Sequence, residues 1–473
     1  TPMARACRRS AKALVALVVA LSVAAETTQR QLITFSHVAT RRGSSSSDDA
    51  ATFESEYVSS AILLDPGRVV LSDPDQTPLA MPEDATWWLR GIALEVIDGE
   101  TNASVPLTEV YVHHVAIYDG SKGADLCGGA DLDSKDSLWD VGAEARGTRT
   151  FFPAPYGYFV NRTGSQAAWS ANVHLIRTSG GVPNVKRCIE CACAAGGGSE
   201  ACCPDGALCP GMDGYSSMAA RGGPSPRGAQ RAYRLRYVVR WDPHAEDGGA
   251  AAPGGGGGRT PAETKRKSPT ETLLPLTYRT LDVASCQLEF NVPAVCPWSY
   301  RHAGTTAGSF AIDGLSLVGT GRSYPFDFLL DDAASLPAHC VATRSWTTTW
   351  AEDDGVLVFG KGHLHVGALN MTLARVERDG SETELCTVVP RYGRSLVSTG
   401  VVDDDDDPVG VPGDELGYVV GISNCDDAFA ARPALRRGDV LRVTARYRAQ
   451  PWYDGVMGLF DVAVGPPRAE PYR

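Results

Sequence analysis

The sequence predicts an all-β protein: two jelly-roll-like β-sandwich domains in tandem, with a Cys-rich insert and a Gly-rich loop. Three observations predict it. Short apolar runs rich in Val, Ile, Tyr and Trp follow one another between turn residues, which is the spacing of a sandwich. Glycine is abundant, at 50 residues, and charged residues make up only 21%, which suits a loop-rich β chain better than a helical one. The one long helix-like run lies at the N-terminus and has the pattern of an export signal.

Residues 1–25 read as a signal peptide. Arg5, Arg8, Arg9 and Lys12 form a basic start, and "ALVALVVALSVAA" (13–25) is an apolar stretch too short to span a bilayer. Val23 and Ala25 are the small residues expected before a cleavage site. An uncleaved anchor is the other reading. Cleavage removes four basic groups and no acidic ones, taking the net charge from −12 to −16; a nucleic-acid partner is not expected. No later apolar run is long enough for a transmembrane span. The expected location is secreted, either extracellular or in the secretory lumen.

Residues 26–52, Ser-rich at "RRGSSSSDD", read as a disordered segment. Residues 53–300 read as the first sandwich, from runs such as "WWLRGIALEVI", "EVYVHHVAIYDG", "SANVHLIRT" and "YRLRYVVRW". Within it lie the Cys-rich insert 188–210 and the flexible Gly-rich loop 246–270. Residues 301–473 read as the second sandwich, after a boundary near residue 300 that follows "SCQLEFNVPAVCPW". The run "DDDDD" (403–407) reads as a solvated hairpin loop or a calcium site, although EF-hand spacing is absent.

Of 13 cysteines, Cys7 lies in the signal, which leaves an even 12. In an oxidising compartment these read as disulfides. Cys188, Cys191, Cys193, Cys202, Cys203 and Cys209 are expected to close the insert on itself, with a structural zinc at its C-x-x-C as the alternative. Cys286 with Cys296, and Cys386 with Cys425, are further expected pairs, which leaves Cys127 with Cys340 by elimination. Asn102, Asn161 and Asn370 begin glycosylation sequons; Asn370, five residues past His365, also reads as a packed side chain.

Chemistry is carried by the histidines. Five of nine occur among Val, Leu, Ile and Tyr: His113, His114, His174, His363 and His365. Residues i and i+2 of a strand share a face, so His363 and His365 form either a metal clamp or a hydrogen-bonded core pair. His113 and His114 are adjacent and face opposite ways on a regular strand. Both reach one metal only at a bulge or a strand end; otherwise one points inward and one outward. Several metal classes are excluded. No HExxH helix is present, and the cupin Glu is missing after HxH, where Leu369 and Asn370 stand. A facial-triad acid is also lacking. Met457 in "GVMGLF" is a soft thioether suited to Cu(I) or a core filler, and Met371 is the fallback ligand.

Taken in order, "YVHHVAIYDG", "ANVHLIRT", "RCIECAC…CCPDGALC", "GKGHLHVGALNMTL", "GYVVGISNC" and "GVMGLF" resemble the stress up-regulated Nod 19 (SURNod19) family. The order HH, H, HxH, M is also similar to the copper type II, ascorbate-dependent monooxygenases, which include the peptidylglycine α-hydroxylating and dopamine β-monooxygenases. The resemblance implies two coppers: an electron-transfer ion held by His113, His114 and His174, and an oxygen-binding ion held by His363, His365 and Met457. It implies ascorbate as reductant, O2 as co-substrate and a small-molecule or peptide substrate hydroxylated at a C–H bond. The Cys-rich insert belongs to the Nod 19 pattern alone, and no residue matches a substrate-binding position. The alternative is a non-catalytic extracellular stress-related glycoprotein of the same fold that binds or sequesters copper.

Overall fold

The structure, a computed structural model, describes residues 32–43, 52–64, 69–72, 77–84, 86–119, 138–148, 150–162, 169–177, 230–244, 273–285, 289–292, 341–394, 411–415, 418–449 and 453–467. Among them the chain is nearly all β, as predicted, in sheets packed face to face.

In the first half, one sheet has the order β1 (Phe35–Arg42), β2 (Phe53–Ser59), β11 (Arg231–Pro243), β5 (Thr86–Asp98), β9 (Tyr156–Asn161), β12 (Leu274–Pro275), with β3 (Ile62–Leu64) on β11 and β8 (Thr150–Phe151) on β5. Its companion has the order β4 (Val69–Leu71), β10 (Trp169–Arg177), β6 (Val110–Asp119), β7 (Trp139–Val141). The two are closed by aromatic contacts such as Trp87 of β5 on Trp169 of β10, ring centres 5.8 Å apart. Alternation makes β11 a strand: Tyr233, Leu235, Tyr237, Val239 and Trp241 are buried, and the arginines between them face outward. Each such large side chain contributes roughly 1.5–3 kcal/mol on full burial.

The second half repeats the plan. One sheet has the order β13 (Thr277–Asp282), β23 (Tyr453–Gly465), β16 (Gly355–Leu364), β21 (Ala434–Leu435), with β14 (Glu289–Val292) on β23. The other has the order β15 (Val341–Thr349), β22 (Val440–Arg448), β17 (Ala368–Val376), β18 (Glu382–Val388), and β19 (Pro390–Tyr392) pairs with β20 (Val419–Ile422). The expected disulfide Cys386–Cys425 is present, with Cα atoms 5.8 Å apart. It ties β18 to the turn after β20.

Two sequence boundaries move. Within the segment 26–52, expected to be disordered, Phe35–Arg42 forms β1 and pairs with β2. Ile33 is fully buried and Phe35 packs edge-on against Tyr237, so apolar burial outweighs the polar composition. Strands β13 and β14, on the first-sandwich side of a boundary near residue 300, hydrogen-bond to β23 of the second. The remaining cysteine expectations (Cys127, Cys188–Cys209, Cys286, Cys296, Cys340), the signal, the Gly-rich loop and the acidic run all lie outside the described residues.

The halves meet through buried polar contacts. The 3-10 turn Ala143–Arg146, which follows β7, lies against β20. Arg146 pairs with the fully buried Glu415 at 3.2 Å, and Glu415 also accepts from the Leu107 amide at 3.0 Å. Ile422 N–H donates to Thr148 Oγ1 at 2.7 Å. A single apolar cluster runs through both halves. Such satisfied buried polar groups fix one docking geometry, because any other leaves them unpaired.

Candidate metal centre

The adjacent histidines are resolved by a bulge. On β6, His114 lies opposite His174 of β10, but the next pair is Val112 with Leu175, so His113 is the extra residue. A bulge turns a side chain that regular pleating would send to the other face. His113 and His114 Nδ1 atoms therefore lie 3.1 Å apart. The His113 ring lies tilted against His174 at 4.2 Å between centres, and His114 meets His174 edge-on at 5.1 Å.

The second pair needs no irregularity. His363 lies on β16 and His365 one residue past its end, on the same face, with their Nε2 atoms 3.1 Å apart. Lys361, two residues earlier, shares that face. It forms a fully buried ion pair with Asp461 of β23 at 2.9 Å, donates to the Asp140 carbonyl and lies 5.4 Å over the Trp139 ring. The first half thus caps the face that carries the second pair.

The two groups touch. The His113 ring stands edge-on to His365 at 4.7 Å between centres, so all five strand histidines form one contiguous cluster across the two halves. Glu289 joins it: one ligand atom from each of His113, His114, His174 and Glu289 lies within 4.8 Å of the others.

Met457 lies on the face the second pair uses. His363 opposes Leu459 in the β16–β23 ladder, and Met457, two residues away, shares that face. The Tyr447 hydroxyl accepts from the His365 amide at 3.0 Å and donates to the Met457 carbonyl, which fixes the two backbones together. Gly458, next to Met457, serves packing: a Cβ there would meet Val283 at 2.6 Å and Ala445 at 3.0 Å. Met371 falls elsewhere, in β17 of the other sheet, opposite Val388 and Ala445, because the chain turns through Gly367 at φ 91°.

Hydrogen bonds set which nitrogens are open. Asn172 Nδ2 donates to the Ser72 carbonyl at 2.5 Å, which turns its Oδ1 toward His114 Nε2 at 2.5 Å. That nitrogen carries the proton, and Nδ1 is left with its lone pair. The Glu144 carboxylate, from the 3-10 turn, accepts from His363 Nδ1 at 2.7 Å, which turns Nε2 toward His365 Nε2 at 3.1 Å. This carboxylate–histidine arrangement orients metal-binding imidazoles. Gly142 permits it, since a Cβ there would lie 2.6 Å from His363 Cε1.

Burial, reinforced by neighbouring rings, pushes His113 and His174 well below the ordinary imidazole range. His365 is pushed down in the same way, against the opposing pull of Glu144, and His114 is pushed down to about 3, mainly by burial. Burial also depresses His363, but the charge and hydrogen bond of Glu144 outweigh it and hold that ring above the ordinary value. Burial would raise Glu144, yet His363 and Lys361 hold it below the usual carboxylate range. The cluster is thus mostly neutral imidazole, the ligating form. His174 Nδ1 is buried with no hydrogen-bond partner among the described residues, as a metal-ligating nitrogen would be. This donor set fits a copper-class ion.

Glu289, Glu144 and Lys361 escape a motif search because they come from a separate strand, a short turn and an apolar run. Their signal is a charged residue inside an apolar segment: "QLEFNV", "WDVGAEA" and "VLVFGKGHLH". Of the sequons, Asn102 and Asn161 are exposed. Asn370 is half-buried on β17 and accepts from Arg446 at 3.1 Å.

A family model described as "Stress up-regulated Nod 19" matches residues 122–246 and 330–466, more than half of the chain. The matched regions contain His174, His363, His365 and Met457; His113, His114 and Glu289 lie outside them. No curated protein matches the chain.

Proposed function

The chain belongs to the stress up-regulated Nod 19 family, and we propose that it is a secreted copper protein that acts as an ascorbate-dependent monooxygenase. The observation that carries this reading is the contiguous cluster of five buried or half-buried histidines, whose ring nitrogens converge pairwise at 3.1 Å, with Met457 on the same strand face as His363. Bound there, copper would supply one-electron redox chemistry and oxygen activation, with ascorbate as reductant and a small molecule or peptide as substrate. His113, His114 and His174 would hold one ion, and His363, His365 and Met457 the other.

The chain's own residues prepare this chemistry. Asn172 and Glu144 each hold an imidazole N–H and so aim the opposite nitrogen. Burial keeps the His113, His114, His174 and His365 rings neutral. Thioether sulfur favours Cu(I), the state that reacts with oxygen. Secretion is supported by the Cys386–Cys425 disulfide, and no helix of the described residues is long and apolar enough to cross a membrane.

A second reading, copper sequestration without catalysis, is favoured by one observation: His113, His174, His363 and His365 are at most 3% exposed. Oxygen uptake by the copper-loaded protein with ascorbate, scored against peptide and phenolic substrates, separates the two. Substrate-dependent uptake supports the monooxygenase, and stable copper with no uptake supports sequestration.

A further inference from the structure

We infer that Glu289 is a fourth ligand of the first histidine group and makes it a three-histidine, one-carboxylate site. The inference deepens the copper reading and rests on it for the identity of the ion.

Glu289 opens β14 and lies directly opposite Met457 in the β14–β23 ladder. Directly opposed residues of an antiparallel pair project to the same face. That face carries His363, and it meets the β6 bulge through the His113–His365 contact. The Glu289 carboxylate therefore arrives from the second sandwich at three histidines of the first, within 4.8 Å of each ligating atom. Nitrogen and carboxylate donors sit about 2.0–2.2 Å from a bound divalent ion. Small side-chain rotations bring four donors so grouped onto one ion.

Charge balance also favours a carboxylate here. Three neutral imidazoles supply no charge against a divalent ion, whereas a carboxylate supplies one negative charge and a hard oxygen donor. Each histidine group then has one acid and uses it differently. Glu144 acts through the far nitrogen of His363, and Glu289 acts at the ion itself. A hard anionic ligand favours Cu(II) over Cu(I), while the Met457 thioether favours the reverse. The two groups therefore differ in potential: the first holds its ion oxidised more strongly than the second.

The test titrates Cu(II) and Zn(II) separately into metal-free wild type, Glu289→Gln and Glu289→Asp. Circular dichroism checks folding, and Cu(II) EPR reads the ligand field. Gln keeps the volume without the charge, and Asp keeps the charge but shortens the reach. We expect both variants to fold, to lose at least about tenfold in Cu(II) affinity at one of two sites, and to change the EPR parameters of that site alone. If wild type binds copper and both variants match it in affinity and spectrum, Glu289 is not a ligand and the copper reading survives. If Asp matches wild type while Gln does not, the carboxylate acts by charge at a distance and ligation is overturned. If wild type binds only zinc and both variants weaken it, ligation stands and the copper reading falls. If wild type binds neither metal, both fall.

Discussion

The two histidine groups reach the same cluster by different means. His113 and His114 are sequence neighbours that share a side only because β6 bulges at His113. His363 and His365 share a face by the ordinary period of a strand and are steadied by Glu144 from the other half. The three histidines of the first group take their geometry from backbone irregularity within one sandwich, and only Glu289 reaches them from the other. The second stores it in the docking of two sandwiches. Damage to the interface should therefore disable the second group first.

The largest effect should come from replacing His113 and His114 together with Ala. Bound copper should fall from two ions per chain to one, with His363 and His365 still loaded. Loss of both ions from a folded variant, read by metal analysis, would show that the groups cannot bind separately.

Lys361→Met removes one member of a fully buried ion pair and leaves Asp461 uncompensated. Breaking such a pair by removing one partner destabilises by about 3–5 kcal/mol. Chemical denaturation should show this, with copper lost from the second group at lower denaturant than from the first. Simultaneous loss would erase the distinction between the groups.

Glu144→Gln should act more locally. It weakens a charge-assisted hydrogen bond worth about 1.5–3 kcal/mol and should reduce metal affinity at the second group by about 10–100-fold, with the first group unaffected. Competitive chelator titration measures it.

Acid acts on the rings with two signs. His113, His114, His174 and His365 have lowered values in the folded state, so the unfolded chain binds more protons there. The stability they allow is present above the unfolded value near 6.5 and is lost as pH falls below it. Glu144 also has a lowered value, so its contribution fades in acid as well. His363 has the opposite sign: its value is raised, and its contribution is present below about 6.5 and lost as pH rises through its folded value. Four against one, the metal-free protein should lose stability from about pH 6.5 downward, by up to about 1.4 kcal/mol per pH unit for each ring kept neutral. A melting temperature that is flat from pH 7 to 5 would contradict this.

Met457→Leu should be the smallest change to stability, below about 1.5 kcal/mol for a volume-conserving swap. It should weaken Cu(I) at the second group only. X-ray absorption of the reduced protein checks it by the loss of one sulfur scatterer shared between two coppers.

Much of this is legible in the sequence. The runs "YVHHVAIYDG", "SANVHLIRT" and "GKGHLH" fall within or at the ends of β6, β10 and β16, because alternating or continuous apolar residues declare a strand wherever it pairs. The Cys386–Cys425 pair was legible as well. The bulge was not, since nothing local marks a one-residue slip between β6 and β10. Contact between the two groups was not legible either, because it depends on how Arg146, Glu415, Thr148 and Ile422 dock the halves. Glu289 and Glu144 were hidden for the same reason: each acts on residues far away in the chain, where no spacing rule applies.

On this reading the five histidines form a copper centre spanning both halves. Its most direct test is the metal content and Cu(II) EPR spectrum of the purified protein after copper loading and gel filtration. Two coppers per chain are expected, with nitrogen hyperfine coupling from imidazole at both. Zinc as the sole metal retained, or copper without imidazole coupling, would contradict it.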